Sequence, residues 1–425
     1  MQRRRFIKFA GAAGFTTLIP WWRPGLAQTA LYTGTVFMNI HARGAWDTSS
    51  FCDPKNDPQI NRWAENAQAG NAGNLRYAPF AGNQAFFNKY FDRMLVINGI
   101  DGETNSHEAG LRHSQSGRLA SGYPPFEGLA GIVLGAGLPL YFLANGPYRE
   151  TADGAVLASS APGNDGLGNL LLPNRNPEGQ NIHPEAALDI ARRHQLDRLR
   201  ALAAGSHLPR MKRGVSELIA GKSGDDALRT FGEGFQNLDR NDLTGARNDM
   251  VDDIHLALLA SAAGLCVSAN FDAADFDTHS DHDRNQARAL RRLTNAVDYL
   301  WVKADELGVA ERIVLVLTSD FSRTPRYNDG NGKDHWSVGS TVIMQKDAPW
   351  GNRVVGATNG RHDAVRINPM TLQPDDSGIK LEPKHIHQAL RTLSGIDGDP
   401  LVQRFALDAE DVDFFNPAVE TGFPS

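Results

Sequence analysis

Ile313-Val314-Leu315-Val316-Leu317-Thr318 runs without a break into Ser319-Asp320-Phe321-Ser322-Arg323-Thr324. The first half is β-branched and leucine residues with no polar side chain until Thr318, so it has no face to offer water. A strand of that kind must be covered on both sides, which is the situation of a central strand in a parallel sheet. The second half places an aspartate where such a strand ends. Open α/β sheets bind ligands beyond the carboxyl ends of their strands. The chain is therefore expected to be α/β, a three-layer sandwich with helices on both faces of a central, mostly parallel sheet.

The surrounding chain alternates accordingly. Residues 285–307 read as a long helix with Leu290, Leu293, Val297 and Leu300 on one face, and residues 249–263 as another through Ile254, Leu258 and Ala262, widened by Leu259. Residues 267–271 form a short strand between them. Further back, residues 35–40 are a first strand leading into His41-Ala42-Arg43-Gly44-Ala45-Trp46-Asp47, and residues 94–98 a second, ending in the polar loop 102–105 before a helix that starts near Ser106. Residues 138–143 suggest a third strand, which Pro139 confines to a strand start or a sheet edge. Residues 340–344 are a strand and residues 383–393 a helix. Residues 146–183, rich in Gly, Pro and Asn, read as an extended loop. Helical spacing over residues 185–204 and 210–220 marks a helical insertion at about residues 184–245 of a single domain, residues 28–425.

The N-terminus carries an address. Arg3, Arg4 and Arg5 precede Phe6-Ile7-Lys8, a weakly apolar run follows over residues 9–19, and Gly25-Leu26-Ala27 supplies the small residues a signal peptidase reads. Paired arginines before Phe-Ile-Lys resemble the twin-arginine pattern. A signal peptide over residues 1–27, passage through the twin-arginine machinery and residence in the periplasm or cell envelope are expected. No segment after processing is long and apolar enough to cross a bilayer. A 41% hydrophobic fraction suffices for a large core. A net charge of -6 offers no basic field to nucleic acid. Two cysteines, Cys52 and Cys266, exclude a disulfide framework.

Metal-type residues recur after the strands. Asp47 follows the first. Phe276-Asp277-Thr278-His279, with Asp281 and His282, follows the strand at 267–271. Asp320 follows the buried run, and Gly332-Lys333-Asp334-His335 lies in a later loop. Carboxylates and imidazoles are the oxygen and nitrogen donors a divalent metal needs. Each has an ordinary role as well: Asp47 and Asp320 as turn or helix caps, His279 and His335 as surface histidines. Their joint position at strand ends favours a metal site of zinc, manganese, magnesium or calcium. His385 and His387, two apart in a helix, do not share a face and read as surface or packing residues. His362-Asp363 reads as a solvated turn beside Arg361, with an extra ligand pair as the alternative.

Phe276-Asp277-Thr278-His279, Ser319-Asp320-Phe321-Ser322-Arg323-Thr324 and Asp334-His335, with Arg43-Gly44-Ala45-Trp46-Asp47 and Asn105-Ser106-His107, resemble the motifs of a family of twin-arginine-exported, sulfatase-like proteins of unknown function. That family is similar to the alkaline phosphatase superfamily, which binds two metals above a parallel sheet. The resemblance implies that Asp277, His279 and His335 hold one metal and Asp47 and Asp320 another. It places Ser106 as nucleophile, with Thr104 as the nearby rival, and Arg323, with His107 or His113, against the oxygens of the bound anion. The pattern departs at Phe321, where the related phosphatases carry a histidine ligand, which leaves one or two ions open. Cys52-Asp53-Pro54-Lys55-Asn56 lacks the arginine of the sulfatase motif and follows the wrong strand, so Cys52 reads as an ordinary loop cysteine.

Three functions follow. The first is an exported metal-dependent hydrolase of phosphate or sulfate esters, acting on a small molecule or an envelope polymer. The second is a non-catalytic envelope protein with a structural metal and a partner- or glycan-binding surface. The third is a single-metal hydrolase that uses an activated water and does not need Ser106.

Overall fold

Residues 31–138, 140–152, 174, 176, 180–205, 208, 211, 212, 214, 215, 219, 231 and 249–417 are described by a computed structural model of the chain. The expected signal peptide, Pro139 and most of the loop and helical insertion between residues 153 and 248 lie outside the described residues. The strands are β1 (Val36–Ala42), β2 (Gly70–Ala72), β3 (Leu75–Tyr77), β4 (Met94–Asp101), β5 (Phe142–Ala144), β6 (Ser268–Ala273), β7 (Ile313–Ser319), β8 (Ser322–Arg323), β9 (His335–Trp336), β10 (Val338–Gln345) and β11 (Arg353–Val355). Seven of them form the central sheet in the order β11-β4-β10-β7-β1-β6-β5, while β2–β3 and β8–β9 are separate two-stranded ribbons.

β7 pairs in parallel with β1, β1 with β6, and β6 with β5; β4 and β11 are also parallel to each other. β10 runs antiparallel to both β7 and β4. The other six strands therefore share one direction and β10 alone is reversed. That reversal matters for the site: the chain enters β10 at the same edge where the other strands end. A residue just before β10, such as His335, joins residues that follow β1, β4, β6 and β7.

Strand alternation explains the layers. On β7, Ile313, Leu315 and Leu317 pack into one core, with Val36, Met38 and Ile40 of β1. Val314 and Val316 pack into the other, with Phe37 of β1 and Ile97 of β4. Helices α1 (Asn83–Tyr90), α2 (His107–Ser116), α3 (Phe126–Leu134), α4 (Glu185–Gly205), α5 (Asp249–Ala262), α6 (His282–Glu306) and α7 (Pro383–Ser394) follow in chain order. α5 and α6 supply Ile254, Leu258, Leu290, Leu293, Val297 and Leu300 to the first core. α3 and α7 supply Phe126, Leu129, Ile386 and Leu390 to the second. Both faces of the sheet are thus covered. Each fully buried Leu or Ile here contributes about 1.5–3 kcal/mol, and Leu317→Ala would cost about 2–5 kcal/mol with its cavity.

Departures from the sequence reading are local. The third strand is only Phe142–Ala144, shorter than the apolar run that suggested it. α6 begins at His282, three residues early, because the polar first turn carries no apolar periodicity but buries His282. His385 and His387 are both buried on α7; His385 completes a capping box with Glu382. Cys52 and Cys266 are free and buried. No helix among the described residues is long and apolar enough to cross a membrane.

Candidate metal centre

Four loops meet at the strand ends. The loop after β4 delivers Asn105, Ser106 and His107, the last being the first residue of α2. The loop after β6 delivers Asp277 and His279, the loop after β7 delivers Asp320, and β9, before the reversed β10, delivers His335. Close backbone approach makes this meeting feasible. Gly44 has φ +105, and a Cβ there would stand 2.5 Å from the Asp277 backbone nitrogen. Gly110 lets α2 lie against the Asp320 carbonyl, 2.7 Å from where a Cβ would be.

His107, Asp277 and His335 each offer a donor atom within 4.8 Å of the others. His279 adjoins the group on one side: its Nε2 lies 3.0 Å from Asp277 Oδ1 and 2.9 Å from His335 Nε2. His107 Nε2 and His335 Nε2 are each 3.5 Å from the same Asp277 oxygen. Donors around a tetrahedral ion with bonds of about 2.0–2.1 Å stand about 3.3 Å apart, and these separations bracket that value. Asp277 is 49% exposed, so the group opens to solvent.

The ring protons can be assigned from the partners. His335 Nδ1 faces the Asn105 carbonyl at 2.7 Å and must donate to it. His279 Nδ1 donates to Asp334 Oδ1 at 2.9 Å, and His107 Nδ1 to Asp320 Oδ2 at 2.6 Å. Each Nε2 is then a lone pair. Three lone pairs and a carboxylate converge, and His107 Nε2 is buried without a hydrogen-bond partner. With both rings neutral, the His279–His335 contact brings two acceptors together, which a bound metal ion or a proton on one ring relieves. The Nδ1 anchoring by carboxylates or a carbonyl is the outer arrangement that orients metal-ligating histidines. The residues fit a divalent metal.

The hydrogen bond that His107 donates to Asp320, with the carboxylate's charge, raises His107 against the opposing effect of burial. Partial burial lowers His335, helped by Arg323 and the neighbouring histidines. Burial would raise Asp277, but Arg323, His107 and His279 outweigh it and hold it below the usual carboxylate range. Phe321 stacks on the His107 ring with centroids 4.9 Å apart and packs on His335 at 4.8 Å.

The remaining expected site residues behave differently. Asp320 is buried, and both its oxygens are taken: Oδ1 by His41 Nε2 at 2.5 Å, Oδ2 by His107 and by the Gly44 amide at 3.0 Å. Burial opposes its ionisation, but these donors hold it well below the carboxylate range. Asp47 is fully buried and accepts from Lys333 Nζ at 2.7 Å, His282 Nε2 at 2.9 Å, the Ser49 amide and hydroxyl, and the Ser50 hydroxyl. Lys333 and His282 overcome the desolvation of Asp47 and depress it strongly. Lys333 thus stands as a cation at Asp47, and Asp320 anchors His107. The Arg323 guanidinium is buried and donates to the carbonyls of Gly44, Ala45 and Lys333 and to Asp277 Oδ1 at 2.6 Å, so four of its five N–H groups fix the backbone and a ligand. His113 is buried and donates to the Gly102 carbonyl at 2.9 Å.

Ser106 sits at the N-cap of α2, exposed, with no side-chain capping bond; its amide donates to Thr104 Oγ1 at 3.1 Å. It lies between Asn105, which holds His335, and His107. His362 is buried and 3.3 Å from Asp53, and Asp363 is bonded to Asn359, so neither joins the group. Burial pushes the Cys52 thiol up, as befits an inert cysteine. The sequence reading did not identify Lys333, His282 and His41 as partners. The one signal for His41 is an imidazole near the end of a strand whose only other polar residue is Asn39.

A family model described as "Protein of unknown function (DUF1501)" matches residues 253–405. No curated protein matches. Among solved structures, the chain is similar to a Bacteroides thetaiotaomicron protein of the metabolism of multiple glycosaminoglycans (10% identity, 92% of this chain and 78% of that chain, TM-score 0.38). It is similar also to an alkaline phosphatase mutant of TAB5 with Mg bound (8% identity, 76% and 95%, TM-score 0.35). A third likeness is to Ps i-CgsB in complex with k-i-k-neocarrahexaose (7% identity, 90% and 76%, TM-score 0.36).

Proposed function

We propose that this chain is an exported hydrolase of phosphate or sulfate esters that works with one divalent metal, held by His107, Asp277, His279 and His335, and with Ser106 as nucleophile. One observation carries the reading: three imidazole lone pairs, each fixed by an oxygen partner on the far nitrogen, converge with a carboxylate on an open sheet edge. Three nitrogens and one oxygen suit zinc better than magnesium or calcium, which favour oxygen ligands. Bound there, the ion would neutralise charge developing on the ester oxygens and lower the pKa of a hydroxyl.

The chain's own residues supply the rest. Asp320, Asp334 and the Asn105 carbonyl keep the imidazoles oriented. Arg323 holds Asp277 in place from beneath. The N-terminus of α2 offers free backbone N–H groups and a positive dipole end to an anionic ester, and the Ser106 hydroxyl stands there without a capping bond. The motif likeness to the sulfatase-like family points the same way. The twin-arginine pattern of residues 3–8 supports export; Arg3, Arg4 and Arg5 changed together to lysine should retain a fused reporter in the cytoplasm.

One observation favours a second reading. With His279 beside His107, Asp277 and His335, protein donors alone could satisfy an ion, as in closed structural zinc sites. The test is turnover of p-nitrophenyl phosphate and p-nitrophenyl sulfate by the zinc-loaded protein. Turnover that a chelator abolishes, that zinc restores and that Ser106→Ala lowers by roughly 1,000-fold or more supports the proposal. Turnover indifferent to Ser106→Ala transfers the attack to water. No turnover of any ester by the loaded protein supports the structural clip.

A further inference from the structure

His107 is held by Asp320, and Asp320 is itself held from beneath. We propose that His41 is a positioning residue for the metal cage: its Nε2–H locks the Asp320 carboxylate, which in turn locks His107 with Nε2 toward the other ligands. The proposal rests on reading the four residues as a metal centre and deepens it by one layer.

His41 is fully buried near the end of β1. The parallel register sets it opposite Thr318 of β7, so its place is fixed by the sheet rather than by a loop. Its Nδ1 lies 3.1 Å from Gln115 Nε2 and 3.1 Å from Thr318 Oγ1. An amide nitrogen can only donate, so Nδ1 accepts and the ring proton resides on Nε2, 2.5 Å from Asp320 Oδ1. The partners are pinned in their turn. Gln115 Nε2 donates to Thr318 Oγ1 at 2.9 Å, and the Thr318 hydroxyl donates to Asn39 Oδ1 at 3.3 Å. Asn39, His41, Gln115, Thr318 and Asp320 are all buried, so this column of hydrogen bonds is shielded from water.

The geometry shows what the column does. Asp320 has one oxygen for His41 and the other for His107 and the Gly44 amide. With the first oxygen fixed, the carboxylate cannot turn about its terminal torsion, and the second oxygen stays aimed at His107 Nδ1. An apolar residue at position 41 would leave a buried carboxylate oxygen unpaired. Such a group is costly, and the carboxylate would rotate or draw in water, taking His107 with it. A buried imidazole is otherwise an expensive choice for a core position.

Glutamine and asparagine separate this role from packing. The glutamine amide nitrogen reaches about as far as Nε2 and keeps the donor to Asp320; asparagine stops near the position of Nδ1. Cobalt(II) binding is measured by titration of the purified protein, read by its visible absorption bands. His41→Gln should bind within about threefold of the wild type, and His41→Asn about 10–100-fold more weakly with shifted bands and unchanged stoichiometry. Equal affinity of the two variants, with cobalt bound by the wild type, overturns the role of His41 and leaves the cage standing. A wild type that binds no cobalt overturns the cage, and the proposal with it. A second measurement needs no variant: in wild-type protein labelled with 15N-histidine, His41 should carry its proton on Nε2, and a proton on Nδ1 would overturn the proposal.

Discussion

Asp47 and Asp277 invite comparison. Each follows a strand of the central sheet, each touches histidine, and each is held by a buried cationic side chain, Lys333 at 2.7 Å and Arg323 at 2.6 Å. Around Asp47 every other neighbour is a donor: His282, Ser49 and Ser50 all give protons to it, and nothing is exposed. Around Asp277 the neighbours are imidazole nitrogens whose protons are committed elsewhere, and half of the side chain faces solvent. The same residue types make a closed structural ion pair in one place and an under-satisfied cage in the other. Hydrogen-bond accounting, atom by atom, separates them, because a buried polar group must be paired and an unpaired convergence of lone pairs calls for a cation.

The comparison breaks first on stability. Asp47→Asn or Lys333→Met leaves the partner charge buried, which should cost about 3–5 kcal/mol in urea unfolding while metal content stays unchanged. Loss of metal in either variant would mean that the two clusters are one site. Next comes the cage: His279→Ala should weaken zinc binding, by isothermal titration calorimetry, by more than about 100-fold, since losing a ligand exceeds the loss of an outer partner. Its unfolding without metal should move by no more than about 0.5 kcal/mol, because the residue is exposed. Asp334→Asn, one layer out on an exposed residue, should weaken zinc about 10-fold.

The smallest and most graded effect is in acid. Asp47 and Asp320 are both held below the ordinary carboxylate value, Asp47 by Lys333 and His282 and Asp320 by His107 and His41, in each case against burial. Groups with depressed native values contribute stability that is fully present above the unfolded pKa of about 3.9 and is lost as pH falls through the native value. The urea midpoint should be flat with respect to these two groups from pH 7 to about 5 and drop below about pH 4. The drop should be shallower in Asp47→Asn, and an equal drop would remove Asp47 from the account.

The architecture was largely legible in sequence. β1, β4, β7 and α6 announce themselves through apolar periodicity, because periodicity reports burial and burial is what a layered sheet imposes. The reversal of β10 was not legible, since strand direction depends on pairing partners and leaves no mark on composition. At the site, the sequence displayed the residues that meet at the sheet edge but not their hydrogen-bond states. Asp47 and Asp320 carry the same label as Asp277, and what distinguishes them is donors far away along the chain: Lys333 for Asp47 and His41 for Asp320. The partners of Arg323 were hidden for the same reason: they are backbone carbonyls of a distant segment and Asp277.

The most direct measurement is metal content by elemental analysis of the purified protein beside its His279→Ala and Asp47→Asn variants. The account predicts one metal per chain in the wild type and in folded Asp47→Asn, and none in His279→Ala. Two metals per chain with one lost in Asp47→Asn, or no metal in the wild type, would contradict it.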